Sequence, residues 1–384
     1  MKKVKFPNQS INQSINQSIN QSISQPGTAC LNTLKFVAAG IVAFVWHYQH
    51  FAPSDGSPFD DLFVWSYKYG WLMVELFFML SGFGMYLGYS DTIFRHELCF
   101  KDYILKRIRK IYPLFFFSLT LVIVVEIWHR ILKGYTFVYP NFDSWHLALN
   151  LILCQDGIFG TEWSYNSPSW CISICMVMYI IFYLVIYHSE SKITALYKFI
   201  GVMLVGTFIL LAGWDYPVIL NSLMARGMVC FSMGIIIANI YSMREKINTV
   251  LIGYVGLVVV IGLYFVYKYI GADTENMQLL FIIVIGPAII QSVLYVPWLN
   301  KIMSLKPLLY LGSLSMEIYL LHFIVQCTIR DIDISCKLGI DYSKHITWII
   351  YAVATILVCI LYKKALEKHC NRLYDWAYKL VIRK

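Results

Sequence analysis

The hydrophobic residues of this chain fall in long unbroken runs separated by short polar segments. A helical run of roughly 20 apolar residues crosses the hydrocarbon core of a bilayer. Ten such runs are present, at about 31–51, 70–90, 111–132, 170–188, 196–213, 222–241, 249–270, 276–296, 307–328 and 346–366. Even the run at 196–213 carries no charge after Lys198. The pattern predicts an all-α fold, a polytopic membrane bundle of about ten transmembrane helices over 31–366. A polar segment, 1–30, precedes it and a basic tail, 367–384, follows.

Composition agrees with this class. The 384 residues are 59% hydrophobic and only 14% charged, with a mean hydropathy of +0.62, whereas an ordinary soluble domain is nearer half apolar and a quarter charged. Lysines and arginines concentrate on alternate sides of the spans, including the cluster Arg95, Lys101, Lys106, Arg107, Arg109, Lys110 and a further group after residue 362. With positive residues inside, both termini are expected in the cytoplasm. The net charge of +9 then reads as topology and attraction to anionic membrane lipid, and no nucleic-acid partner is expected. No C-x-x-C pair suggests zinc or thioredoxin chemistry, and no metal is expected. Of ten cysteines, Cys154 and Cys336, with Cys327 less clearly, are placed to meet an oxidising exterior; a Cys154–Cys336 disulfide is one pairing that sequence alone leaves open.

Residues 8–23 repeat Asn-Gln-Ser-Ile four times, a polar low-complexity stretch with too little apolar surface to repay ordering. It reads as a disordered tail. It also lacks the apolar core of a signal peptide, so the first span is expected to be a retained anchor. Asn-Gln-Ser-Ile can be encoded as AAT CAA TCA ATC, three copies of the tetranucleotide AATC. Gain or loss of one unit shifts the frame, so the tract suggests a slippage switch for a gene that alters an exposed surface. A neutral peptide repeat is the alternative.

Ionisable residues inside the spans are costly and mark functional candidates, and four stand out: His47 in LKFVAAGIVAFVWHY, Glu75 in VELFFMLSGF, Arg226, and His322 in SMEIYLLHF. At 1.5 Å per residue, His47 is about 18 Å beyond Lys35, Glu75 about 8 Å below the outer start of the second span, and His322 about 22 Å beyond Pro307. All reach a similar outer-leaflet depth. Two imidazoles, a carboxylate and a guanidinium at one height make a plausible acid/base group for acyl transfer to an alcohol, His47 accepting the proton, Glu75 orienting it and Arg226 holding negative charge. Each also has a structural reading, as a satisfied core histidine or an interhelical pair. His50, three residues after His47, lies at the interface and needs no catalytic reason.

The order and spacing of these motifs resemble acyltransferase family 3, integral membrane enzymes that carry acyl groups, usually acetyl from acetyl-CoA, onto extracytoplasmic or membrane-linked glycans. Lys35, Ala38, Ala39 and His47 match the first span. Glu75, Leu76, Phe77, Phe78, Ser81, Gly82 and Phe83 match the second. Arg107, Lys110, Ile111 and Pro113 precede the third; Pro168, Trp170 and Ser173 match the fourth; Arg226, Phe231 and Gly234 the sixth; Gly312, Ser315, Tyr319, Leu320, Leu321 and His322 the ninth. Three departures stand out. Lys35 replaces the commoner Arg, and the gap from it to His47 is one residue longer than usual, so a helical bulge or shifted register must absorb it. Cys175 occupies the position of a frequent Glu, and Cys171 that of a Ser.

The resemblance implies a bacterial inner-membrane O-acetyltransferase that takes acetyl from cytoplasmic acetyl-CoA to a hydroxyl of an extracytoplasmic or lipid-linked glycan, lipopolysaccharide, O-antigen or capsule in type. Catalytic residues would be His47, Glu75, His322 and Arg226. Lys35, Arg107, Arg109 and Lys110 would hold the phosphates of the donor, although ordinary positive-inside topology explains the same charges. The membrane domain is expected to complete the transfer. The loop 133–169, with Trp145, His146, Trp163, Tyr165 and Asn166, suits a sugar face and equally an interfacial aromatic belt. A secondary transporter and a catalytically inactive family member are the competing readings. The transporter predicts inverted repeats and paired broken helices, and the halves of the chain show no convincing similarity.

Overall fold

The computed structural model describes residues 27–159, 162–216, 218–270 and 276–382; the Asn-Gln-Ser-Ile repeat lies outside them. Among the described residues, nine helices are long and apolar enough to cross a membrane, and a bent pair makes a tenth. The protein is a multi-pass, all-α bundle. Among the described residues the one β-type contact is an isolated bridge between Asn141 and Ser164.

In chain order the helices are α1 (Cys30–Phe51), α2 (Asp60–Tyr69), α3 (Met73–Phe94), α4 (Phe100–Lys133), α5 (Ser144–Leu151), α6 (Trp170–Tyr187), α7 (Lys192–Leu211), α8 (Ser222–Ser242), α9 (Thr249–Phe265), α10 (Met277–Tyr295), α11 (Pro297–Met303), α12 (Lys306–Gly312), α13 (Ser315–Cys336), α14 (His345–Leu361) and α15 (Glu367–Ile382). The span expected from residue 70 is prolonged at its N-terminal end by α2, from which α3 is separated by a 3-10 turn at Gly70–Leu72. The third span begins at Phe100, so the basic cluster is itself helical. The expected tail 367–384 is helical through Ile382 and packs on α4 through the Arg109–Asp375 ion pair at 2.8 Å. Cys154 and Cys336 are not bonded; all ten cysteines are free.

Two helices form the centre. α13 is buried on nearly every side from Glu317 to Cys327 and packs against α1, α4 and α14. α3 crosses α8 most closely, because Gly82 lies against the Phe231 carbonyl and Gly234 against that of Met79, where a β-carbon on either would clash. Close backbone approach through small residues is how helices associate where lipid removes the hydrophobic drive. α9 is the opposite case. Only Gly253 and Gly256 are buried in it, and Val258 is 69% exposed, as suits an apolar helix facing acyl chains.

The ninth span is broken, α12 and α13 meeting at 59°. Gly312 sits against the Asn32 backbone of α1, with no room for a side chain. A break at membrane depth frees backbone carbonyls that need a donor. Lys363, from the π-turn after α14, donates to the Ser313 carbonyl and to Glu317 Oε1, 3.3 Å away.

α1 changes character along its length. It is α-helical to Gly40, a π-turn over Ile41–Trp46 and 3-10 from His47 to Phe51. The π-turn lies between Lys35 and His47, where the extra residue had to be absorbed, and a π-bulge is what one inserted residue produces in a helix. Carbonyls along this loosened stretch take side-chain donors from neighbouring helices. Tyr351 Oη donates to Ala43 O at 3.1 Å, Trp348 Nε1 to Phe44 O at 2.5 Å and Gln326 Nε2 to His47 O at 2.7 Å.

Candidate active site

The π-turn turns His47 inward from α1, where it meets His322 of the buried helix α13. His47 Nδ1 and His322 Nε2 are 2.7 Å apart. The other nitrogen of His322, Nδ1, faces two carbonyls of its own helix, Tyr319 O at 2.8 Å and Ile318 O at 3.1 Å. Carbonyls only accept. His322 Nδ1 therefore carries the proton, its Nε2 presents a lone pair, and His47 Nδ1 donates to it. In neutral His47 this leaves the lone pair on Nε2, the atom of a general base. His322 is fully buried and fixes the tautomer of its partner.

A third imidazole completes a stack. The rings of His322, His47 and His50 lie with successive centroids 4.9 Å apart and interplanar angles of 12° and 22°. His50 Nδ1 is buried with no hydrogen-bond partner. Its ring meets Tyr139 and Phe323 edge to face. Desolvation raises the phenol pKa of Tyr139, in the loop after α4. His50, set aside in the sequence, is thus part of the cluster; the signal was the i, i+3 spacing from His47.

Glu75 and Arg226 also come together, but with each other. Arg226 Nε donates to Glu75 Oε1 at 2.6 Å, Gln278 Nε2 donates to the same oxygen at 3.0 Å, and Cys230 Sγ lies 3.6 Å from Oε2. Glu75 is fully buried. The guanidinium is clasped between Trp71 and Trp170, 5.0 and 4.7 Å from the ring centroids, a cation-π arrangement that compensates part of its desolvation. Among the described residues no hydrogen bond joins Glu75 to His47, so the expected orienting carboxylate is replaced by His322. Tyr319 connects the two pairs. Its carbonyl accepts from His322, its hydroxyl donates to Pro168 O at 2.6 Å, and Cys171, beside Trp170, donates to that hydroxyl at 3.2 Å. Cys171 so fills a hydrogen-bonding role at the Ser position. Cys175 lies beside the Ser81–Tyr179 hydrogen bond.

The basic cluster divides by helical geometry. Arg107 and Lys110, at i and i+3, share a face of α4, from which Arg109 points away. Lys35 of α1 lies within electrostatic reach of Lys110, and Lys110 of Arg107. Arg107 is buried. It donates to the Tyr89 hydroxyl, stands 4.5 Å over that ring, and leaves Nε without a partner. Among the described residues none of these three cations has a carboxylate partner. Buried or crowded charges normally pair, so three neighbouring cations without a carboxylate have the charge to hold an anion. Arg109 belongs to a different contact, the ion pair with Asp375.

At the other end of the bundle, the loop after α4 sorts its polar residues. Trp145 is 60% and Trp163 43% exposed. Tyr165 and Asn166 are buried, Tyr165 Oη donating to Asp143 O and Asn166 Nδ2 to Ser118 Oγ and Leu320 O. Tyr165 ties the loop to itself, and Asn166 holds it to α4 and α13. The His146 amide and ring keep the exposed Asp143 carboxyl below its usual pKa.

Compared with known proteins, a family model described as an acyltransferase domain matches residues 28–364. No curated protein and no solved structure matches the chain.

Proposed function

The chain belongs to acyltransferase family 3, and from that premise we propose that it moves an acetyl group from acetyl-CoA to a hydroxyl of an extracytoplasmic or lipid-linked glycan at the bacterial inner membrane. The observation that carries this reading is the His47–His322 hydrogen bond, with its tautomer set by the Tyr319 and Ile318 carbonyls. His47 Nε2 takes the proton of the acceptor hydroxyl as its oxygen attacks the acetyl carbonyl carbon. The carbon–sulfur bond then breaks, and His47 returns the proton to the departing CoA thiolate. As His47 gains charge, its Nδ1–H bond to His322 becomes charge-assisted and strengthens.

Lys35, Arg107 and Lys110 would hold the phosphates of the donor at the cytoplasmic end. From Lys35 to His47 is about 18 Å along a helix, the reach required of the pantetheine arm. Trp145 and Trp163 offer exposed rings for a sugar face at the opposite end. Both termini are then cytoplasmic, as the positive-inside distribution supports. A surface glycan of lipopolysaccharide or capsule type fits a gene whose tetranucleotide tract would switch it on and off. An unbroken AATC repeat in the coding DNA supports that switch, and scattered synonymous codons remove it.

The test supplies acetyl-labelled acetyl-CoA to membranes carrying the protein. Base-labile label in polysaccharide or lipid-linked sugar, absent with His47→Ala, is the expected result. Label nowhere favours a transporter, a reading to which the broken ninth span lends one observation, or an inactive family member.

A further inference from the structure

The mechanism above leaves a second buried polar cluster unused, at the C-terminal ends of α4 and α13. His129 Nδ1 lies 2.5 Å from Asp331 Oδ1, and Cys327 Sγ 3.7 Å from Asp331 Oδ2. One ligand atom from each of the three falls within 4.8 Å of the others, and all three residues are buried. Glu126, one turn before His129 on the same face of α4, is 2% exposed. Its Oε2 accepts from the Phe137 amide at 3.0 Å, while Oε1 is buried with no partner. Glu126 is within electrostatic reach of both Cys327 and Asp331.

Two carboxylates and a thiol thus surround a single imidazole. Of the neighbouring cations, Arg330 stands over the Tyr342 ring and Arg130 over the Phe142 ring, where it is within electrostatic reach of Glu126 but makes no ion pair among the described residues. A low-dielectric site does not hold excess negative charge and an unsatisfied carboxylate oxygen without a counter-charge. Thiolate, imidazole and carboxylate are together the donor set of a borderline-soft divalent ion with four-coordinate geometry. The two helices supply them as Glu-x-x-His and Cys-x-x-x-Asp, spacings that bring both residues of each pair to one face. We propose that Cys327, Asp331 and His129 bind a zinc ion, with Glu126 Oε1 or a water as fourth ligand. Cys327 loses its thiol proton to solvent on binding, so that its thiolate and the Asp331 carboxylate neutralise the ion. The His129–Asp331 contact must open by somewhat under 1 Å, since two ligand atoms at about 2.0 Å from a tetrahedral centre stand about 3.3 Å apart.

The site has a structural consequence. Phe137, held through its amide by Glu126, packs with His129 and Phe323, and Tyr139, two residues on, leans on Phe323 and His50. The metal would clasp the start of the loop that closes over the histidine stack. The ligands come from two helices remote in sequence, so no C-x-x-C spacing marks the site in the chain.

The test uses full-length protein purified in detergent, stripped with chelator and titrated separately with zinc and cobalt chloride. Expected are about one tightly held zinc per chain and a higher unfolding temperature with zinc. The cobalt form should show a thiolate charge-transfer band. Cys327→Ser should abolish that band, and Asp331→Asn should weaken zinc binding roughly 100-fold or more, the scale on which even outer-sphere partners act. His47→Ala should retain the ion. Wild-type protein that takes up no zinc and shows no cobalt band overturns the proposal. So does zinc that survives Cys327→Ser with Asp331→Asn, or that leaves with His47→Ala.

Discussion

His322 stands 2.7 Å from His47 with its second nitrogen committed to the backbone of α13. The base is thus oriented by a neutral imidazole rather than by a carboxylate. His47→Ala should keep the fold and lose roughly 100-fold or more in transfer rate. His322→Ala should lower kcat comparably with little change in either KM, and His322→Gln, whose amide oxygen can accept from His47, should restore part of it. Equal activity of the Ala and Gln variants at position 322 would mean the orienting bond is not used.

The stacked His50 makes a graded prediction. His50→Ala removes the stack on His47, worth about 0.5–1.5 kcal/mol, together with the edge contacts to Tyr139 and Phe323, and should slow transfer roughly 2- to 10-fold by loosening His47. His50→Phe keeps a ring there and should stay near wild type. A loss in His50→Phe as deep as in His47→Ala would instead assign the proton transfer to His50.

For the donor, the division of the basic cluster is decisive. Replacing Arg107 and Lys110 with Gln should raise the KM for acetyl-CoA at least tenfold, leave that for the acceptor unchanged and flatten the salt dependence. Arg109→Gln loses only a half-exposed ion pair with Asp375, worth at most about 1 kcal/mol, and should bind donor normally. Donor dependence measured for the two variants in the same membranes separates the roles.

Glu75→Gln should act on stability. It leaves the Arg226 charge buried between Trp71 and Trp170 without its carboxylate, and breaking a buried pair from one side costs about 3–5 kcal/mol. The unfolding temperature should fall, and the double variant Glu75→Gln with Arg226→Gln should recover much of it. An unchanged unfolding temperature with lost activity would return Glu75 to the chemistry.

Counting residues along an apolar run gives height in the membrane, and height was legible: His47 meets His322, and Glu75 meets Arg226. Which way each side chain points around its helix was not. Four groups at one depth read as one constellation and resolve into two pairs joined through Tyr319. Arg109 shows the same limit at short range, two residues from Arg107 and about 200° around the helix. The bend before α13 depends on how closely α1 passes Gly312, a relation between segments remote in sequence. The cluster of Glu126, His129, Cys327 and Asp331 depends on the same kind of meeting, since neither helix alone carries a recognisable ligand set.

The π-turn over Ile41–Trp46 confines the effect of one surplus residue to a single helical turn. Lys35 keeps its place near Lys110 and His47 its place beside His322, although a regular helix would have rotated one against the other by about 100°. Length variation inside this turn is therefore cheap, and the same variation a few residues further on, between His47 and Phe51, is not. A column-by-column comparison of this chain with other family members must open its gap between Lys35 and His47, or it will pair the base with the wrong residue.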